Sequence, residues 1–219
     1  SYSFQSSMLF LLVIKRNLNI ADILLVNGNY FMKIKSKSDY RMFLDEDLKS
    51  LNIEPSLKNK LTHDIWSFQK CLRKLEYFLN CKIGLLSKVY VAYLRLKVRK
   101  KGRKLGFSIP PNVFGPGLSI AHAGTIVVNS NAQIGKNCRI HVCVNIGADV
   151  RDGMKAPKIG NDCYIGPGAK IYGGIELGDN IGIGANAVVN KSFSGNVTIA
   201  GMPAKVISND GPKTYRDIK

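Results

Sequence analysis

The stretch IGNDCYIGPGAKIYGGIELGDNIGIGANAVVN, residues 159–190, repeats with a period of six. Its second position is glycine in four of the six repeats, and its fifth position is never charged. A six-residue period fits neither an α-helix nor an alternating strand. It is typical of a parallel β-helix in which each hexapeptide forms one face. The first position of every repeat is aliphatic and is predicted to point inward: Ile159, Ile165, Ile171, Leu177, Ile183 and Val189.

The same phase continues upstream, where a second run of repeats begins each hexapeptide with an aliphatic residue: Val128, Ile134, Ile140 and Ile146. The distance from Ile146 to Ile159 is 13 positions, which is two repeats and one extra residue. The intervening residues 147–158 are therefore predicted to contain a small protrusion. Two phased runs together predict a β-helix for residues 107–207.

Residues 1–106 have a different, mainly helical pattern, so the predicted fold class is α+β. Apolar residues recur at steps of four and three between Leu61 and Leu79, which predicts an amphipathic helix. Residues 85–98 and 39–53 are predicted to form two more helices. An Asn-Gly pair within residues 24–31 predicts a short hairpin. The domain prediction is a helical domain at 1–106, a β-helix at 107–207 and a tail at 208–219.

The net charge of +17 lies mostly in the N-terminal half, where residues 1–106 carry 21 basic and 8 acidic side chains. Residues 95–104 (RLKVRKKGRK) include seven basic residues. Such a balance indicates an anionic partner, whether nucleic acid, a membrane surface, a phosphorylated cofactor or an acidic polymer. A solvated basic helix end explains the same charges equally well.

The five cysteines show no CxxC pair and no zinc-site spacing, so they are predicted to be free thiols and no metal is expected. Three of them, Cys138, Cys143 and Cys163, are predicted to be small buried hydrophobes. The apolar run at residues 8–14 is far shorter than the ~20 residues of a membrane-spanning helix.

The hexapeptide pattern resembles the left-handed β-helix acyltransferases. The segments SIAHAGTIVVNSNAQIGKN (119–137), APKIGNDCYIGPGAKIYGGIELGDNIGIGANAVV (156–189) and IAGMPAKVI (199–207) are most similar to the serine acetyltransferase branch of that family. The resemblance covers about residues 109–207. It implies a left-handed β-helix in a homotrimer, or a dimer of trimers, that uses acetyl-CoA bound in grooves between neighbouring β-helices.

The resemblance also implies that His122 is the general base. The transfer of an acetyl group to an alcohol needs a base for the hydroxyl proton and a donor for the oxyanion. Counting back six residues from Val128 places His122 in the inward phase, as a core residue. The family match favours instead a side chain that emerges at the groove. His63 lies off the apolar stripe of its helix and is predicted to be a surface residue.

Three departures from the serine acetyltransferase pattern bear on the acceptor. Ala121 stands where the branch has an aspartate. The branch also has an acidic residue near the start of the first coil, and the nearest match to it here is Ser108. Lys155 and Ala156 replace an Arg-His pair. These losses lead to the hypothesis that the acceptor is a sugar hydroxyl of a bacterial capsule or O-antigen, or of its lipid-linked or nucleotide-linked precursor. The alternatives are a serine O-acetyltransferase with a rearranged site and a non-catalytic trimeric scaffold.

His141, Asn145 and Lys155 are candidate acceptor-binding residues. For acetyl-CoA, the resemblance implies small residues along the later repeats and lysines near the exit from the β-helix: Gly147, Gly166, Ala169, Gly184, Ala185, Lys191 and Lys205. The glycines are equally explained by turn geometry alone. The expected location is cytoplasmic, at the inner face of the membrane if the positive charge meets anionic lipid or a lipid-linked precursor. Nucleic acid is not expected as a partner.

Overall fold

The structure is a computed structural model and describes residues 31–53 and 63–212. The hairpin predicted near residues 24–31 falls outside these ranges apart from its last residue. Three helices precede the β-helix: α1 (Lys37–Ser50), α2 (Asp64–Cys81) and α3 (Leu85–Leu105). No helix in the described ranges is long and apolar enough to cross a bilayer.

Local signals explain where the helices begin and end. Ser36 Oγ accepts a hydrogen bond from the backbone N–H of Asp39 and caps α1. His63 Nδ1 accepts from the N–H of Trp66 at 3.2 Å, so His63 is the cap of α2 and not simply a surface residue. Gly106 ends α3 in the left-handed conformation, with a φ of 82°.

The hexapeptides form fourteen short strands in the described residues. Their bounds are β1 (Phe107–Ser108), β2 (Ser119–Ile120), β3 (Ile126–Val128), β4 (Gln133–Ile134), β5 (Arg139–Ile140), β6 (Val144–Gly147), β7 (Lys158–Ile159), β8 (Tyr164–Ile165), β9 (Lys170–Tyr172), β10 (Glu176–Leu177), β11 (Ile181–Ile183), β12 (Val188–Val189), β13 (Val197–Ala200) and β14 (Lys205–Ser208).

These strands build the three faces of a left-handed β-helix. Sheet I contains β1, β3, β6, β9 and β12, sheet II contains β4, β7 and β10, and sheet III contains β2, β5, β8, β11, β13 and β14. All pairings are parallel except β13–β14, which is antiparallel and closes the last coil. Residues 148–157 lie between β6 and β7, where the protrusion is predicted, and Val150 is 98% exposed there.

The aliphatic repeat positions form the interior. Ile140, Ile165 and Ile183 pair in register along sheet III, and each is at most 1% exposed. Cys138 and Cys163 are buried as predicted, but the prediction is wrong for Cys143. Cys143 is exposed because its backbone turns the corner between two sheets with a φ of 62°.

One hydrophobic cluster runs without a break from α2 through the whole β-helix. The helices are also joined to the first coil by a buried polar network around Arg73 on α2. Its guanidinium contacts Asp47 at 2.8 Å and Glu76 at 3.0 Å, and it donates to the carbonyl oxygens of Phe114 and Gly115. This network fixes the three helices α1 to α3, here called the helical cap, against the start of the β-helix.

Candidate active site

His122 lies on an enlarged corner of the first coil. Ile120 pairs with Ile140, and Val128 pairs with Ile146. The step from sheet III to sheet I therefore takes eight residues in the first coil, from 120 to 128, and six in the second, from 140 to 146. Ile120 takes the inward position, so counting back from Val128 gave the wrong phase for His122. The two extra residues place His122 outside the core, and its side chain is exposed.

Backbone hydrogen bonds hold this corner in place. The N–H of Gly124 donates to the carbonyl oxygen of Leu105 at 2.9 Å, and the N–H of Ile126 donates to that of Gly106 at 3.0 Å. The carbonyl of Thr125 accepts from the N–H of Cys143 at 2.6 Å. The corner that carries His122 is therefore fastened to the end of α3 on one side and to the second coil on the other.

His141 occupies the same edge of the prism, one coil further along. It follows β5, and its backbone N–H donates to the carbonyl of Ile165 at 3.2 Å. Its ring centroid lies 6.1 Å from that of His122 and 5.0 Å from that of Tyr164. Burial, the guanidinium of Arg139 and the nearby His122 together lower the pKa of His141. This lowered pKa favours the uncharged imidazole at neutral pH.

No carboxylate orients His122 within the described part of the chain. Ala121 precedes it, and no described side chain hydrogen-bonds to its ring. Ser108, the nearest match to the family's acid, lies on β1 opposite Val127 of β3, on the outer surface of sheet I. The imidazole of His141 is the polar group that the fold brings beside His122.

The other predicted site residues are divided between two edges of the prism. Gly166, Gly184 and Ala185 lie at the edge between sheets III and I, the edge that carries both histidines. Gly147 and Lys191 lie at the edge between sheets I and II. A single chain does not bring the two groups together, because sheet I separates them.

Two of the predicted acceptor-binding residues do not join the histidines. Lys155 lies in the exposed loop between sheets I and II, where its Nζ is 3.4 Å from the carboxylate of Asp152. Asn145 lies in the middle of β6, on the outer surface of sheet I. Only His141 of the three candidates shares the edge of His122.

Of the predicted coenzyme contacts, Ala169 could offer only its backbone. The side chain of Ala169 is 0% exposed and packs in the interior, because it occupies a small inward position of its repeat. Lys205 lies on the closing strand β14 and is exposed. Among the described residues, no three His, Cys, Asp or Glu side chains are grouped so that they could hold a metal ion.

Comparison with known proteins identifies the β-helix. Residues 156–191 match the family described as "Bacterial transferase hexapeptide (six repeats)". The serine acetyltransferase of Synechococcus elongatus is 33% identical over 108 residues, which are 48% of this chain and 44% of that protein. That of Staphylococcus xylosus is 27% identical over 187 residues, covering 83% and 80%. The crystal structure of serine acetyltransferase from Brucella abortus has a TM-score of 0.65 at 27% identity, covering 80% and 71%.

These findings define the fold class first: the repeats form a left-handed β-helix similar to that of solved serine acetyltransferases, and residues 156–191 match hexapeptide transferase repeats. Within that class, the chain is similar to serine acetyltransferases. It spans about half the length of the first curated relatives it matches, 44% and 51%. The hypothesis of a surface-polysaccharide acceptor is wrong, since relatives and solved structures alike are serine acetyltransferases. That hypothesis relied on a few substituted side chains, and the similarity of the whole domain to serine acetyltransferases is stronger evidence than those substitutions.

Proposed function

We propose that this chain transfers the acetyl group of acetyl-CoA to the hydroxyl group of serine, with His122 as the general base. The observation that carries the proposal is the placement of His122. The enlarged corner removes it from the core and exposes it beside a neutral second histidine. The similarity to serine acetyltransferases supports both the acyl donor and the acceptor.

The chemistry follows from an exposed imidazole at this position. His122 accepts the proton of the serine hydroxyl while the oxygen attacks the thioester carbonyl carbon. The tetrahedral intermediate then breaks its carbon–sulfur bond, and the protonated His122 returns the proton to the departing thiolate. O-acetylserine and free CoA are the products, and His122 is again neutral. No carboxylate of the described residues orients His122, so it acts with the orientation that its backbone anchors provide.

The edge between sheets III and I is the proposed path of the pantetheine arm. Gly166 and Gly184 keep this edge narrow because neither carries a side chain, and Ala185 beside them is small and exposed. Both glycines are also required by packing, since a Cβ on Gly166 would lie 2.6 Å from the carbonyl oxygen of Ile183 and one on Gly184 would lie 2.8 Å from the Cβ of Ala200. Lys191 and Lys205 are exposed cations that would meet the phosphates.

A homotrimer is the assembly we propose. Lys155 and Lys191 lie one edge away from His122 within a chain, so they could complete the same site only from a neighbouring copy. The acceptor-binding role predicted for Lys155 therefore belongs to an intersubunit site in this proposal. A cytoplasmic location accompanies the proposed use of acetyl-CoA, and contact with an anionic membrane remains a prediction from charge alone.

The test is steady-state acetyl transfer with free-thiol detection. His122→Ala should lower kcat with serine by about 10²–10⁴-fold, the usual contribution of a positioned base. Thr125→Ala, in the same exposed corner, is the matched control and should keep near-normal kcat. Full turnover by His122→Ala would exclude His122 as the base. If the unaltered protein binds acetyl-CoA but does not acetylate serine, the acceptor is wrong, and if it binds no CoA, the chain is a scaffold.

A further inference from the structure

The two nitrogens of the His141 ring lie in different surroundings. Nε2 is buried and has no hydrogen-bond partner among the described residues. Nδ1 is not enclosed in this way, and no side chain of the described residues bonds to it. The ring of Tyr164, tilted against that of His141 with centroids 5.0 Å apart, and the neighbouring His122 pack against the imidazole in this orientation.

This asymmetry selects a protonation state. An N–H that is buried without an acceptor is costly and rare, whereas a buried lone pair is tolerated more often. The proton of neutral His141 therefore belongs on Nδ1. A second proton would have to sit on Nε2, in the enclosed position, so the surroundings also disfavour the imidazolium. Arg139, on the strand that His141 follows, and His122 on the preceding coil add positive or potentially positive neighbours.

We propose that His141 is a catalytic residue whose neutral Nδ1–H donates a hydrogen bond to the oxyanion formed during acetyl transfer. This assignment rests on the proposed function. His122 takes the proton of the acceptor hydroxyl, and electron density moves onto the former carbonyl oxygen. The Nδ1–H of His141 stabilises that oxygen without giving up its proton, and the stabilisation ends when the carbon–sulfur bond breaks and the carbonyl re-forms.

The geometry suits this division of roles. Two imidazoles whose centroids are 6.1 Å apart lie close enough for both to reach one reacting centre beside them at the same edge of the prism. A donor already aligned before the reaction needs no reorganisation when charge develops, which is why such donors contribute strongly to rate. A neutral imidazole suits this task because it donates without competing as an acid.

Kinetics separate this role from a structural one. His141→Phe keeps an aromatic ring against Tyr164 but removes the donor. It should lower kcat by about 10²–10³-fold, as the loss of one oxyanion donor does, with little change in the KM for acetyl-CoA or serine. His141→Asn, which retains an N–H donor, should recover part of that loss. Tyr164→Phe is the control and should leave kcat nearly unchanged. A His141→Phe variant with normal kcat would overturn the assignment.

Nitrogen-15 NMR of the unaltered protein supplies a readout that does not depend on turnover. The two ring nitrogens of a neutral histidine have well separated shifts, and His141→Phe assigns the resonance. We expect a proton on Nδ1 and an uncharged ring at pH 7. A proton on Nε2 would refute the inference. If the protein does not acetylate serine at all, the proposed function fails by that assay, while the tautomer is still decided by the spectrum.

Discussion

Replacing Arg73 with methionine should strongly destabilise the described part of the chain. The guanidinium is completely buried and is paired with two carboxylates, those of Asp47 and Glu76. It also donates to the carbonyls of Phe114 and Gly115 at 2.8 and 2.7 Å. Methionine fills a similar volume, so the loss would be of charge and hydrogen bonds rather than of packing.

The loss of unfolding free energy in Arg73→Met follows from the buried groups that would be left without a partner. Removing one partner of a buried ion pair costs about 3–5 kcal/mol. Two backbone carbonyls would also lose their donor, at about 1–3 kcal/mol each, although these costs do not add fully. Burial already raises the pKa of Glu76, with Arg73 opposing the rise, so Glu76 can take up a proton and limit the loss. We expect about 3–5 kcal/mol, or roughly 6–20 °C in Tm for a chain of this size.

Urea unfolding followed by circular dichroism, at one fixed protein concentration, measures the change. The fixed concentration matters because assembly would add to apparent stability. Arg41→Met removes the same charge from an exposed position of α1 and should change the free energy of unfolding by less than about 0.5 kcal/mol. If Arg73→Met lost less than about 1 kcal/mol with an unchanged m-value, the network would not fasten the cap, and the argument would be refuted.

Two further predictions concern the edge between sheets III and I. Gly166→Ala should cost about 1–3 kcal/mol in urea unfolding, because the new Cβ would lie 2.6 Å from the carbonyl oxygen of Ile183. Gly153→Ala, with open space around its Cβ, should cost nearly nothing, and equal losses would contradict the packing argument. Cys143 should react with maleimide first and be slowed by saturating acetyl-CoA, whereas burial raises the pKa of Cys163 to about 12 and keeps it unreactive. If saturating acetyl-CoA left the rate of Cys143 labelling unchanged, acetyl-CoA would not bind at this edge.

The repeat predicted the architecture because each hexapeptide forms one face with its own inward residue. Ile165 and Ile183 could be assigned to the interior without any knowledge of the tertiary structure. The corner at His122 could not, since a two-residue insertion between repeats leaves no mark in the six-residue count until Ile120 is seen to pair with Ile140. The exposure of Cys143 could not be predicted either, because in the sequence a small residue at a corner cannot be told from a small residue in the core.

Side chains that act across distant parts of the chain were also beyond sequence reasoning. The helical pattern of α2 predicts an apolar stripe, and Arg73 lies off that stripe. Its burial depends on Asp47 of α1 and on two carbonyls of the first coil. The wrong acceptor hypothesis arose in a similar way, because it treated the loss of acids beside His122 as the loss of the serine site. The sequence did not show that a second histidine lies beside the first.

Backbone hydrogen bonds connect the helical cap to the corner that carries the candidate base. The carbonyl oxygens of Leu105 and Gly106, where α3 ends, accept hydrogen bonds from the N–H groups of Gly124 and Ile126, which follow His122 at the end of the enlarged corner. Since α3 packs on α2, the Arg73 network holds the frame to which His122 is anchored. No carboxylate within residues 31–53 and 63–212 orients His122, so its position depends on that frame more than in a site where an acid holds the base. Loosening the cap should therefore lower acetyl transfer at temperatures where the β-helix itself remains folded.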